Sequence, residues 1–188
     1  MAILSVLRFP DVRLRQIAKP VETVDTKIQQ LVKNMYETMY QKNGVGLAAT
    51  QVNVHLRVVV ADCAGEGEAP APITFINPEI INASEEKNKH QEGCLSIPEI
   101  YADVERPDVV TVRALDEFGH TFERVCEGLL GVCIQHEIDH LNGKLFIDYL
   151  SPAKRNLIRE KMKKYEKRLQ KETVAETGSP VSQSPANQ

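Results

Sequence analysis

From Asp25 the chain carries apolar side chains at a helical period. Ile28, Leu31, Val32, Met35 and Met39 fall on one stripe, with polar residues between them. Asp25 or Thr26 suits the N-cap and Asn43-Gly44 the stop, so the spacing predicts a structural helix. Residues 1–24, punctuated by Pro10 and Pro20, read as an irregular arm. Beyond this helix the pattern changes. "LRVVVAD" (56–62) and "ITFINPEII" (73–81) are β-branched runs joined by a Gly/Pro/Ala loop. "VVTVRAL" (109–115) and "HTFERV" (120–125) flank "DEFG", a hairpin signal. "GLLGVCIQHEIDHLNG" (128–143) is helical again and apolar on more than one side, which predicts a buried helix. Leu130, Ile134, Ile138 and Leu141 make one stripe; Leu129, Val132, Cys133, His136 and His140 make a second. Ile158, Met162, Tyr165 and Leu169 mark the apolar face of a C-terminal helix. Strands grouped between helices favour an α+β fold with antiparallel or mixed sheet around the buried helix. A single catalytic domain is expected over 1–170. Residues 171–188, polar and Pro/Ser-rich, read as a disordered tail.

Composition adds a compartment and a charge asymmetry. Among 188 residues, 42% are apolar and 26% charged, ordinary for a globular protein. No apolar run is long enough to span a membrane, and "MAILSVLRFP" does not have the form of a signal peptide. A cytoplasmic location is expected, with Cys63, Cys94, Cys126 and Cys133 as thiols or metal ligands rather than disulfides. The net charge of −3 divides unevenly. Residues 153–171 carry nine Lys or Arg and two Glu, hence +7, while 1–152 carry −8. The basic helix is either a solvated face or a contact for an anionic partner. Nothing in the sequence calls for DNA binding or for more than a monomer.

The densest chemistry lies in "QHEIDH". His136 and His140 are four apart and share a helix face, so both imidazoles can reach one metal ion. Glu137 between them is placed to handle the proton of a metal-activated water. A catalytic site needs a third protein ligand and an open position. No histidine follows His140, and position 146, where a downstream ligand would fall, is Phe146. The third ligand must come from upstream, among His55, His90, Cys94, His120, Cys126, Cys133 and several acids. Cys94 stands out in "QEGCLSIPE": Gly93 allows close backbone approach and Pro98 stiffens the exit. "GVGLAATQ" (44–51) reads either as a plain loop or as backbone kept bare for a ligand to lie against. The second stripe of the motif helix is either packing or the wall of a substrate pocket.

"GVGLAATQ", "EGCLS" and "QHEIDH", in this order and with "INPEI" and "LFIDYL" beside them, resemble the three motifs of the peptide deformylases. The resemblance runs from about residue 1 to 165. It implies that Cys94, His136 and His140 bind the metal and that Glu137 is the acid/base. It implies that Gln51 and the Leu95 N–H stabilise the oxyanion. Gly44, Val45 and Gly46 would lie beside the substrate backbone. Val45, Leu129, Val132 and Cys133 would line the methionine pocket, with Glu92 and Gly93 at its rim. The implied reaction removes formate from the formyl-methionine of nascent polypeptides. The implied metal is Fe(II), with Ni, Co or Zn able to take the same ligands.

Two other readings use the same residues. A metalloendopeptidase would employ the same water and Glu137. A structural site would be closed by a fourth protein ligand, with Cys133 as the candidate.

Overall fold

The computed structural model describes residues 2–177. Three helices are present: α1 (Thr26–Gln41), α2 (Gly128–Leu141) and α3 (Pro152–Thr177). Seven strands follow in chain order: β1 (Gly46–Ala48), β2 (Val58–Asp62), β3 (Pro72–Ala83), β4 (Lys87–Cys94), β5 (Ile97–Pro107), β6 (Val109–Leu115) and β7 (Thr121–Glu127). An antiparallel five-stranded sheet has the order β1-β2-β3-β6-β7, and β4-β5 form a separate antiparallel hairpin. The fold is α+β, as the grouping of strands predicts. Among the described residues, parallel pairing is confined to a single bridge, Lys19 with Leu56.

The layering follows from side-chain direction. Successive strand residues point to opposite faces. In β2, Val59 and Ala61 join a core with Ile134, Ile138 and Leu141 of α2. Val58 and Val60 join a second core with Ile28, Val32, Met35 and Met39 of α1. The strand is buried on both faces, which is why "VVVA" is apolar without alternation. Asp25 caps α1, its carboxylate accepting from the N–H groups of Lys27 and Ile28. α2 ends at Asn142-Gly143. Gly143 has φ +71°, and a Cβ there would lie 2.4 Å from the Arg15 carbonyl oxygen, so glycine is required by both conformation and space.

Three elements differ from the sequence reading. Residues 87–107 form a hairpin, although "KNKHQEG" is polar and lacks strand-like alternation; most of β4 is solvent-facing, so burial left no imprint on it. "GVGLAATQ" is neither loop nor bare coil alone: it contains β1 and a 3-10 turn, Ala49–Val52. α3 continues through Thr177, past the expected start of a disordered tail at 171, because no Gly or Pro intervenes before Gly178. The rest of that tail lies outside the described residues.

The chain divides into two units, 1–150 and 151–188. Among its described residues the second holds one long helix, α3, with the short-range pairs Lys163–Glu160 and Arg168–Glu172 on its surface. Among the described residues, no helix is long and apolar enough to cross a membrane.

The first unit begins with the irregular arm, which contains one 3-10 turn, Val12–Arg15. It is tied down by backbone bonds. Leu7 N–H donates to Gln51 O (2.7 Å), Phe9 N–H to Ser96 O (2.9 Å) and Ala18 N–H to Leu141 O (2.8 Å). Asn77 clamps Val21 through both its amide ends, at 2.8 Å each.

Candidate metal centre

α2 enters the core behind β1, β2 and the Ala49–Val52 turn. Its last turns carry His136, Glu137 and His140, all buried. The end of β4 brings Cys94 to the same place. His140 Nε2 lies 3.2 Å from Cys94 Sγ and 3.2 Å from His136 Nε2. All three donor atoms fall within 4.8 Å of one another. Tetrahedral ligands at about 2.0–2.3 Å from an ion are separated by roughly 3.3–3.6 Å, close to this spacing. Two buried imidazole nitrogens and a thiol converging without an intervening donor form a set of lone pairs suited to a cation.

The surroundings select the tautomer of one ligand. His136 Nδ1 meets Glu92 Oε2 at 2.8 Å, leaving Nε2 to face Cys94 and His140. Glu92 in turn accepts from Arg106, whose Nη1 donates to Asp139 at 2.9 Å. Tyr149 O–H donates to Asp139 at 2.8 Å, and the guanidinium lies 5.1 Å from the Tyr149 ring centroid. Glu92 is the residue the sequence places at the pocket rim. It is buried, because its charge is neutralised inside by Arg106. Gly93 does lie exposed; a Cβ there would sit 2.6 Å from the Tyr101 ring.

Glu137 is buried, and its Oε2 has no hydrogen-bond partner among the described residues. Burial pushes its carboxyl up to about 7; nearby His136 opposes this and Glu92 adds to it. A carboxyl in this range can both accept and give a proton near neutral pH.

Gln51 is locked in place. Its Oε1 accepts the Ala48 N–H at 2.8 Å, which leaves Nε2 as the donor end, 3.1 Å from Ser96 Oγ and 3.6 Å from Cys94 Sγ. The three motifs meet here. A Cβ on Gly44 would touch Leu95 Cδ1 at 2.8 Å. One on Gly46 would lie 2.5 Å from Cys133 Sγ and 2.7 Å from Glu137 Oε1. Leu129 and Val45 are exposed, Val132 is half-buried and Cys133 is buried, a gradation from surface to interior beside the cluster.

Sequence reasoning missed Arg106, Ser96, Thr50 and Tyr149, and left Asp139 unplaced. Thr50 Oγ1 donates to the His140 carbonyl at 3.3 Å. Nothing in "DVERPD" distinguishes Arg106 from a surface arginine; only the fold turns it inward. His55, His90 and His120, and Cys63, Cys126 and Cys133, are not part of the three-ligand cluster. Asp148, downstream of the motif, faces Arg15 instead.

An α+β fold with a thiol and two imidazoles converging beside a buried carboxylate defines a metal-dependent hydrolase. The family model for polypeptide deformylase matches residues 3–156. A peptide deformylase of Pseudomonas aeruginosa is 58% identical over 164 residues, covering 87% of this chain and 96% of that protein. The crystal structure of a peptide deformylase from Ehrlichia chaffeensis superposes with a TM-score of 0.86 at 42% identity, covering 89% of this chain and 98% of that one. One from Legionella pneumophila gives a TM-score of 0.84 at 52% identity, covering 90% and 98%. The chain belongs to the polypeptide deformylase family. It is an enzyme that removes the N-formyl group from formyl-methionyl peptides with the help of a metal ion, and neither the endopeptidase nor the closed structural site is favoured.

Proposed function

We propose that Cys94 Sγ and the Nε2 atoms of His136 and His140 hold one divalent ion, and that Glu137 moves the proton of the reaction. The observation that carries this is the convergence of the three donor atoms, His140 Nε2 lying 3.2 Å from both Cys94 Sγ and His136 Nε2, beside a buried carboxyl with an unpartnered oxygen. When bound, the ion supplies Lewis acidity, making water nucleophilic near neutral pH. Glu137 takes the proton released from the attacking water and delivers it to the leaving amine. Gln51 Nε2 and the Leu95 N–H donate to the formyl oxygen as it becomes anionic; losing one such donor typically costs about 100- to 1,000-fold in rate. The bare backbone of Gly44, Val45 and Gly46 aligns the substrate main chain. Val45, Leu129, Val132 and Cys133 receive the methionine side chain, with Gly93 at the rim.

A soft thiolate with two imidazoles suits Fe(II), the native metal proposed here, and accepts Zn, Ni or Co. The substrates are formyl-methionyl chains emerging from synthesis in the cytoplasm. The nine basic residues of 153–171 suit docking on ribosomal RNA. Charge reversal at Lys164, Lys167 and Lys171 should weaken co-sedimentation with ribosomes, and wild-type binding should fall with salt. Binding indifferent to both would remove this partner.

The deciding experiment measures formate release from formyl-Met-Ala-Ser by protein purified without oxygen and assayed for metal. Rapid release by the wild type, lost in a metal-replete Glu137→Ala variant, is the expected result. Near-normal turnover in that variant would take the proton role away from Glu137.

A further inference from the structure

A second pair of thiols lies outside the ligand set. Cys63 directly follows β2, and Cys133 sits in the second turn of α2, which packs on β1 and β2. Both sulfurs turn toward one acceptor, the Val45 carbonyl oxygen. Cys133 Sγ lies 3.6 Å from it and Cys63 Sγ 3.8 Å. Sharing that acceptor places the two thiols near enough for each to shift the other's ionisation. Cys63 is part-exposed, whereas Cys133 is buried against Gly46.

We propose that Cys63 and Cys133 form a redox pair that a hydroperoxide closes into a disulfide, altering the wall of the substrate pocket. The inference rests on the placement of Cys133 in that wall. The two thiols are suited to different steps. The hydrogen bond from Cys133 holds the Cys63 thiol below its ordinary value. The same bond, together with burial, pushes Cys133 upward, so the exposed member is the nucleophile and the buried member the proton donor. In the first step the Cys63 thiolate attacks one peroxide oxygen. The S–O bond forms, the O–O bond breaks, and the leaving oxygen takes a proton as water or alcohol. Cys63 is oxidised by two electrons to the sulfenic acid. In the second step the Cys133 sulfur attacks the Cys63 sulfur. The S–S bond forms, the S–O bond breaks, and hydroxide leaves with the Cys133 proton as water. Two thiols and one hydroperoxide give one disulfide, one alcohol or water, and one further water.

The geometry gives this bond a consequence. A covalent S–S bond of about 2.05 Å ties Cys133 Sγ, 3.6 Å from the Val45 carbonyl oxygen, to Cys63 and so fixes its place beside that carbonyl. That carbonyl belongs to the segment expected to align substrate. Cys126, buried in β7, is the internal comparison: burial pushes its thiol up to about 11, leaving it unreactive.

The test uses full-length protein loaded with zinc, which keeps redox-active iron out, treated with stoichiometric hydrogen peroxide. Peptide mapping should find Cys63 linked to Cys133, reversed by dithiothreitol, with bound zinc retained. KM for a formyl-Met peptide should rise roughly tenfold in the linked form, the scale of a reshaped apolar pocket. Cys63→Ser should keep basal activity and lose the peroxide response, and Cys126→Ser should keep both. Free Cys63 after treatment, or a link to Cys126, would overturn the redox pair. A mapped Cys63–Cys133 link with unchanged KM would leave the disulfide standing and remove Cys133 from the pocket.

Discussion

Glu92 Oε2 lies 2.8 Å from His136 Nδ1, and this contact decides which nitrogen of His136 faces Cys94 and His140. The carboxylate does so from a buried position, held by Arg106 from its other side. Carboxylates behind a ligand imidazole orient the ring and raise its basicity. Glu92→Gln should keep the shape and lose the charge, weakening metal affinity roughly 10- to 100-fold. Competition for bound metal with a graded chelator series measures this. Unchanged affinity would mean that Glu92 serves only to balance Arg106.

Arg106 is the cation shared by two acids, the buried Glu92 and the part-buried Asp139. Its side chain is 5% exposed and contacts both Glu92 and Asp139. Arg106→Met would fill much of the volume but leave both carboxylates inside without a counter-charge. Breaking a buried pair from one side costs about 3–5 kcal/mol. Urea unfolding of the variant should show a loss of this size, and a loss below about 1 kcal/mol would mark the network as solvent-screened.

Gly46 is a packing constraint on two functional side chains at once. A methyl there would collide with Cys133 Sγ at 2.5 Å and Glu137 Oε1 at 2.7 Å. Gly46→Ala should lower kcat/KM at least tenfold while the far-ultraviolet circular dichroism stays unchanged. Adding Cys133→Ala should restore part of the loss by making room. If the double variant is no better than the single one, the obstruction acts on Glu137 alone.

Acid should loosen the base of the 63–71 loop. Asp62 accepts from Tyr40 O–H at 2.6 Å and from the N–H groups of Ala64 and Ala71. Burial alone would raise this carboxyl, but these donors outweigh it and hold it below its ordinary 3.8. A depressed folded-state value stabilises above the unfolded value, and that contribution is lost as pH falls through the folded one. The wild type should lose stability below about pH 4. Asp62→Asn should be less stable at neutral pH and show a shallower acid decline. Parallel acid profiles for the two proteins would exclude Asp62 as the titrating group.

The parts of the fold legible in the sequence are those where burial constrained residue type. α1 shows its stripe and its Asp25 cap, and β2 its uninterrupted apolar run. The metal cluster was legible because ligands four apart on a helix are a local signal, and Cys94 sits in a distinctive local context. The β4-β5 hairpin was not, because a strand facing water keeps no apolar alternation. The burial of Arg106 and Glu92 was not legible for a related reason. Buried charges look like surface charges until their partners, distant in sequence, are brought together. The helical extension through Thr177 reflects the absence of any breaker, a weaker signal than the Pro/Ser-rich composition that follows it.

The N-terminal arm contributes no ligand, yet its amides bond to the carbonyls of Gln51, Ser96 and Leu141, one in or beside each motif. The arm thus completes its bonds only once the last of these carbonyls, on Leu141, is in place. Such long-range contacts make ordering of the centre a late event in folding. A chain cut short of Leu141 would keep the whole arm and the first two carbonyls, yet leave the Ala18 N–H without its acceptor.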